Sequence, residues 1–328
     1  MTHTPQPEVT LRFMASPTDI LMAGARGVHG GRVLEWIDKA AYACAAAWSG
    51  TYCVTAYVGH IHFRRPIPSG HIVEVRSSVA MTGTSSMHIV NEVYSADPKE
   101  GIFTAACDCL VIFIAMDPDT HRPTPVPSFT PRTDVEQRRQ EAAHSRIELR
   151  AAIKTEMEKQ SYDGPTDAPI FTSRFLAKPT DVNWGGNVHG GTAMEWLDEA
   201  GTAVTMGWSG RRTVANYAGG IRFYQPIHVG DRIEVAARII RTDEHSMHTS
   251  IHLRAGLPTE GAEGLQLRMH AYVTYIATNI DGQMLPARQF TPRTEDDKRL
   301  FEHQQVLREL RAQYMPLPLF ERPTQQLM

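Results

Sequence analysis

The chain has 328 residues, 42% of them hydrophobic and 21% charged, with a formal net charge of −3. That length accommodates two ordinary domains, each with its own core, and the near-neutral balance offers no basic surface for nucleic acid or an anionic membrane. Met1 to Glu8 lack a basic segment followed by an apolar run, and no apolar stretch reaches the ~18 to 20 residues of a membrane helix, so the expected location is cytoplasmic.

A first strand is predicted near Val9 to Ala15. Gly24-Ala25-Arg26-Gly27-Val28-His29-Gly30-Gly31 then reads as a glycine-rich loop opening a helix from His29 to Trp48. Its run of Ala40, Ala41, Ala43, Cys44, Ala45, Ala46 and Ala47 makes a thin rod, apolar nearly all round and therefore buried. Alternating β-branched and aromatic residues predict strands at Tyr52 to Arg64, Ile72 to Met81, Met87 to Ser95 and Phe103 to Ala115. All four cysteines, Cys44, Cys53, Cys107 and Cys109, fall in this half. That argues against a disulfide framework repeated along the chain; buried free thiols are expected, and no metal site.

The proline-rich stretch from Pro118 to Pro131 reads as a loop. From Asp134 to about Gln160 the residues are charged helix formers, with Ala143, Ile147, Ile153 and Met157 as a loose apolar stripe. This predicts a connecting helix lying on the surface, its charges a solvated face. The second half then repeats the first: a strand around Ile170 to Ala177, a helix from His189 to Trp208, and strands at Thr213 to Phe223, Arg232 to Arg241, Met247 to Arg254 and Leu267 to Thr278. A shorter helix from Glu295 to about Gln313 and an extended or frayed tail after Pro316 complete the chain.

The repetition extends to individual residues. Arg12 to Asp19 matches Arg174 to Asp181, Ile61 to Ile67 matches Ile221 to Ile227, Ser86-Met87-His88 matches Ser246-Met247-His248, and Phe129 to Thr133 matches Phe290 to Thr294. Matches in one order across both halves mark a tandem duplication. The units are 1–132 and 166–294, with a connecting helix and linker at 133–165 and a C-terminal helix and tail at 295–328. One helix among several antiparallel strands indicates an α+β unit whose sheet wraps the helix.

Asp181-Val182-Asn183-Trp184-Gly185-Gly186-Asn187-Val188-His189-Gly190-Gly191, leading into a helix that bears Asp198, resembles the hotdog-fold acyl-CoA thioesterases, and most closely those with two hotdog domains in one polypeptide. The Phe-x-x-Pro segments (Phe63 to Pro66, Phe223 to Pro226) and Gly230 to Val235 support it. The resemblance implies two antiparallel sheets joined side by side, each wrapped around one long central helix, with active sites between the units. It also implies a coenzyme A thioester as substrate, no cofactor beyond the CoA of that substrate, hydrolysis by water with a helix Asp and a loop Asn, and homo-oligomers that are trimers of double units. A hotdog enoyl-CoA hydratase or dehydratase using His189 with Asp38, and a non-catalytic acyl-CoA sensor, are the competing readings.

Helix geometry decides how the halves combine. At ~1.5 Å rise per residue, Asp198 lies some 12 Å along its helix from the start, too far for the loop and the Asp of one repeat to hold the same carbonyl. A pseudo-twofold axis brings the start of one helix beside the middle of the other. The losses are complementary: the second loop keeps Asn183 and Asn187 where the first has Leu21 and Gly27, while the first strand keeps Thr55 where the second has Ala215. One site is therefore expected from Asp38, Thr55, Asn183 and Asn187, with Gly190 and Gly191 offering backbone N–H groups to the oxyanion. The other, with Asp198, Gly27, Gly30 and Gly31, is expected to be vestigial. His29 and His189 read as capping or packing residues, and Arg64, Arg65, Arg222, Ser86 and Met87 as candidates for contacts to CoA.

Overall fold

A computed structural model describes residues 3–21 and 27–318. The centre of the first glycine-rich loop, with Gly24, Ala25 and Arg26, and the end of the tail lie outside the described residues. The first repeat contains β1 (Glu8–Met14), α1 (Gly30–Ser49), β2 (Cys53–Val58), β3 (Ile61–His62), β4 (Ile72–Thr82), β5 (Ser86–Ala96) and β6 (Thr104–Ala115). After α2 (Asp134–Glu158), the second repeat contains β7 (Ile170–Leu176), α3 (Gly190–Ser209), β8 (Arg212–Phe223), β9 (Arg232–Thr242), β10 (Ser246–Gly256), β11 (Gln266–Thr278) and β12 (Met284–Leu285), followed by α4 (Glu295–Arg311).

The strands form one sheet in the order β1-β4-β5-β6-β2-β8-β11-β10-β9-β7, with β3 added to β8 and β12 to β11. Outward from the centre, the two halves follow the same order. The architecture is thus a tandem hotdog with its sheets joined side by side. They meet at Tyr57↔Arg222 and Val58↔Ile221.

α1 and α3 lie on one face of this sheet. Ile37, Ala40, Ala41, Cys44 and Ala45 of α1 are wholly buried, because small side chains let a curved sheet close on the helix. Both helices end at a left-handed glycine, Gly50 (φ 74°) and Gly210 (φ 64°), whose N–H returns to the carbonyl four residues back. Their starts meet closely. A Cβ on Gly31 would stand 2.7 Å from Glu195 Cα, and one on Gly191 would stand 2.7 Å from Glu35 Cα. The second glycine of each pair is therefore needed for helix contact.

Two expectations change. The predicted strand from Tyr52 to Arg64 is broken at Gly59-His60 into β2 and β3; β3 pairs with β8 of the other repeat, at Ile61↔Ala218. And α2 does not merely lie on the surface with a solvated face. Ala142, Ala143, Ile153 and Met157 are buried on the sheet's outer face, and so are Arg139 and Arg146. Arg139 donates to Ser78 Oγ (2.7 Å), to the Pro318 carbonyl (3.0 Å) and to Glu92 (3.1 Å). Arginines that face inward disguised the buried stripe. All four cysteines are buried free thiols.

One irregularity positions the chemistry. The β2–β6 register shifts between Thr55 and Tyr57, leaving Ala56 as an extra residue. Such a bulge breaks the alternation of the strand, so that residues two apart face opposite sides: Thr55 points toward α1, and Tyr57 toward α2.

Candidate active site

Asp38 projects from the middle of α1 and is 2% exposed. Thr55 Oγ1 donates to its Oδ1 at 2.7 Å, and the Gly191 N–H donates to its Oδ2 at 2.9 Å. The carboxylate of the first repeat is thus held by the helix start of the second. His189 Nδ1 stands 3.3 Å from the same Oδ2 and 3.0 Å from the Gly191 nitrogen. Burial pushes the Asp38 carboxyl above its ordinary value, while His189, the Thr55 hydroxyl and Gly191 N–H pull it partly back.

The glycines divide the work. Gly191 N–H is taken up by Asp38, so it is not the free oxyanion donor that its position suggested. Gly190, at the first helical position where no intrahelical acceptor exists, has no acceptor for its N–H among the described residues. Its missing side chain is also used: a Cβ there would lie 3.0 Å from both Asp38 Oδ2 and Thr55 Oγ1.

The loop before α3 is shaped by Asn183. Its Oδ1 accepts from Gly185 N–H (2.8 Å) and Asn187 N–H (3.2 Å), and Gly186 (φ 82°) makes the turn between them. With the carbonyl end fixed, Nδ2 is directed to Tyr52 OH at 3.2 Å, leaving one N–H to spare. Asn187 also lines the pocket, but its amide has no such anchor among the described residues. Trp184 stacks on Tyr42 across the repeat boundary, ring centroids 4.9 Å apart. The resulting cavity, of about 720 Å³, joins Asp38, Thr55, Tyr42 and Tyr52 of one repeat to Asn183, Asn187, Gly190 and Phe223 to His228 of the other.

The second carboxylate, Asp198, has a different shell. Gly31 N–H donates to it at 2.8 Å, and Tyr275 OH takes the place of the absent threonine at 2.8 Å. Tyr275 arrives from β11, paired opposite Ala215 as Phe113 is opposite Thr55; a residue-by-residue comparison of the repeats at that pair was the signal available in the sequence. His29 bridges Glu195 (Nε2, 3.1 Å) and Asp198 (Nδ1, 3.6 Å). Burial works against its charge, yet the Asp198 and Glu195 carboxylates lift it to about 9. Leu21, Gly27, Gly30, Phe63 and Ala215 line this cavity of about 440 Å³.

The candidate CoA contacts are not placed where the sequence suggested. Arg64 and Arg65 line the Asp198 cavity, because each Phe-x-x-Pro segment serves the pocket opposite its own repeat's Asp; Tyr224 and Gln225 are their counterparts at Asp38. Arg222 points to the outer face, donating to the Arg150 carbonyl of α2 at 3.0 Å. Met87 is wholly buried in the core and Ser86 sits at the β4–β5 turn; neither lines a pocket described above. Tyr42, Tyr52 and Trp184 were not singled out from the sequence, since only the cross-repeat contact brings them to the site.

The family model for the thioesterase superfamily matches residues 27–102 and 185–262. The chain is 24% identical over 319 residues to the cytosolic acyl coenzyme A thioester hydrolase of Rattus norvegicus, covering 92% of this chain and 82% of that protein. It is 34% identical over 123 residues to protein VdlD of Helicobacter pylori, covering 38% of this chain and 70% of the relative. The crystal structure of an acyl-ACP thioesterase from Bacteroides thetaiotaomicron superposes with a TM-score of 0.53 at 12% identity, over 82% of this chain and 97% of that one, a likeness of fold.

Proposed function

The chain belongs to the thioesterase superfamily, and on that premise we propose that it hydrolyses acyl-CoA to a free carboxylic acid and CoASH in the pocket that holds Asp38. The observation that carries this reading is the buried Asp38 carboxylate, gripped by Thr55 and by Gly191 of the other repeat. Asp38 takes a proton from water as the water oxygen attacks the thioester carbon. Gly190 N–H and the spare Asn183 Nδ2–H stabilise the oxyanion, donors already in place before the charge develops. Collapse breaks the C–S bond, and the proton held by Asp38 goes to the departing thiolate. Burial raises the basicity of Asp38 for this task. His189 positions Gly191 and the loop.

The Asp198 pocket lacks the asparagine and the threonine, and we read it as hydrolytically silent. Exposed Ile170, Phe171 and Leu176 on edge strand β7 and Met14 on β1 offer apolar surface for association between chains; the trimer we propose is measurable as a native mass three times 36.6 kDa. The proposed place of action is the cytosol, as the name of the rat relative states for that protein. CoASH release from a panel of acyl-CoAs, followed with a thiol-detecting dye, tests the reaction. Asp38→Ala is expected to abolish release and Asp198→Ala to retain most of it; equal losses reject the one-site reading. Hydration of an enoyl-CoA without thiol release would replace hydrolysis by lyase chemistry.

A further inference from the structure

Away from both pockets, unpartnered buried polar groups concentrate at one place, the outer face of the β2–β8 seam beneath α2, α4 and the segment after α4. Tyr57 and Tyr217 are equivalent positions of the two repeats there. Arg150 and Arg311 are equivalent as well, equally far beyond the helix caps Thr133 and Thr294. The Arg150 guanidinium stands 5.6 Å over the Tyr57 ring, and Arg311 stands 5.9 Å over Tyr217. Arg222 also meets Tyr57, at 5.7 Å, and Arg146 meets Tyr314 at 5.2 Å. Four cations therefore gather about the pseudo-twofold axis.

Their donors are not used up. Arg146 gives one Nη to the Met315 carbonyl and Arg222 one to Arg150. Yet Arg146 Nε, Arg150 Nη1, Arg222 Nε, and Arg311 Nε and Nη2 are buried without a hydrogen-bond partner, and the hydroxyls of Tyr57 and Tyr314 have at most each other. Arg146 and Arg311 are only 6% and 9% exposed. Among the described residues none of the four forms a salt bridge, and Asp108, the carboxylate acting on Arg146, is already held by Arg64 at 2.5 Å. His60 borders the cluster as well: Tyr217 OH meets its Nδ1, and its Nε2 is buried without a partner. Tyrosine faces compensate buried cations only in part, and a buried charge without a counter-charge is costly for a fold to keep.

We propose that this cluster binds a compact, multiply charged oxyanion of the phosphate class on the axis between the repeats. Guanidinium forks match tetrahedral oxyanions by paired N–H donors, and four of them call for at least two negative charges. The Tyr57 and Tyr314 hydroxyls, each able to donate, border the guanidinium groups. Because only the bulge residue Ala56 separates Tyr57 from Thr55, occupancy braces the strand that holds Asp38.

Calorimetric titration with inorganic pyrophosphate, and separately with inorganic phosphate, in phosphate-free buffer at constant ionic strength tests this. Saturable binding near one pyrophosphate per chain is expected, weaker for phosphate and unchanged by saturating CoA. Arg150→Gln and Arg311→Gln should each weaken it at least ~tenfold, the loss of one charge-assisted contact. If either fails to fold, Arg222→Lys, which keeps the charge and loses the fork, should still weaken binding severalfold. Absence of binding, displacement by CoA, or equal affinity in these variants overturns the proposal. Calorimetry reads binding without turnover, so the result stands apart from the reaction proposed for the Asp38 pocket.

Discussion

Replacing Thr55 with valine removes one hydroxyl from β2 at nearly constant volume and leaves Asp38 Oδ1 without its donor at 2.7 Å. That hydrogen bond favours the charged carboxylate, so its loss raises the Asp38 pKa and moves the acid limb of kcat/KM to higher pH. A hydrogen bond to a charged group contributes about 1.5 to 3 kcal/mol. At a tenfold change per ~1.4 kcal/mol, the rate on the acid limb should fall about 10- to 100-fold, while the alkaline plateau recovers much of the wild-type value. Thr55→Ser, which restores the hydroxyl, should return the limb toward its original position. The assay is CoASH release across pH 5 to 9 at substrate well below KM. A uniform loss at every pH with an unmoved limb would refute the reasoning, because it would place Thr55 on the water or substrate instead of on the carboxylate.

Other consequences follow from contacts elsewhere. Gly191→Ala puts a Cβ 2.7 Å from Glu35 Cα, an overpacking strain of about 1 to 3 kcal/mol, to be seen as a lower urea midpoint; an unchanged midpoint would show that the helices can separate freely. Tyr275→Phe removes the hydroxyl holding Asp198 and should lower stability while leaving hydrolysis within about twofold, since no uniform-binding or transition-state contact at Asp38 is touched. Stability should also fall in acid. Burial, and then Arg254 and Arg238 against Asp163, push His252 down to about 3, and burial with the neighbouring His252 depresses His270. The unfolded chain protonates these groups below ~6.5 and the native state does not, so stability is complete above that pH and is lost as pH falls, by up to ~1.4 kcal/mol per unit for each histidine. Urea midpoints at pH 7.5 and 5.0 measure the slope, and His252→Phe should make it shallower.

Much of this was legible because backbone requirements leave durable marks. The glycine pairs, the matched Asp38 and Asp198 and the alternating strands revealed two wrapped helices and a pseudo-twofold pairing, and helix rise alone showed that loop and carboxylate of one repeat could not meet. What stayed hidden depended on directions that residue types do not encode. Asn183 is distinguished from Asn187 only by the loop N–H groups that fix its Oδ1. Tyr275 reaches Asp198 from a neighbouring strand, 77 residues away in sequence. Arg64 and Arg65 were set beside CoA without the crossing at the seam, which carries them to the opposite pocket. On α2, inward arginines imitate the pattern of a solvated helix.

The seam itself is short, two residue pairs between β2 and β8 and two more between β3 and β8, together with the contact of α1 and α3. Here the 133–165 connector keeps each half at a high effective concentration around the other. The completeness of the Asp38 pocket is then a property of one molecule, indifferent to how much protein is present. On the proposed reading that the Asp38 pocket alone hydrolyses, one half was free to drift while the other was maintained, which would account for Leu21, Gly27 and Ala215 set against Asn183, Asn187 and Thr55.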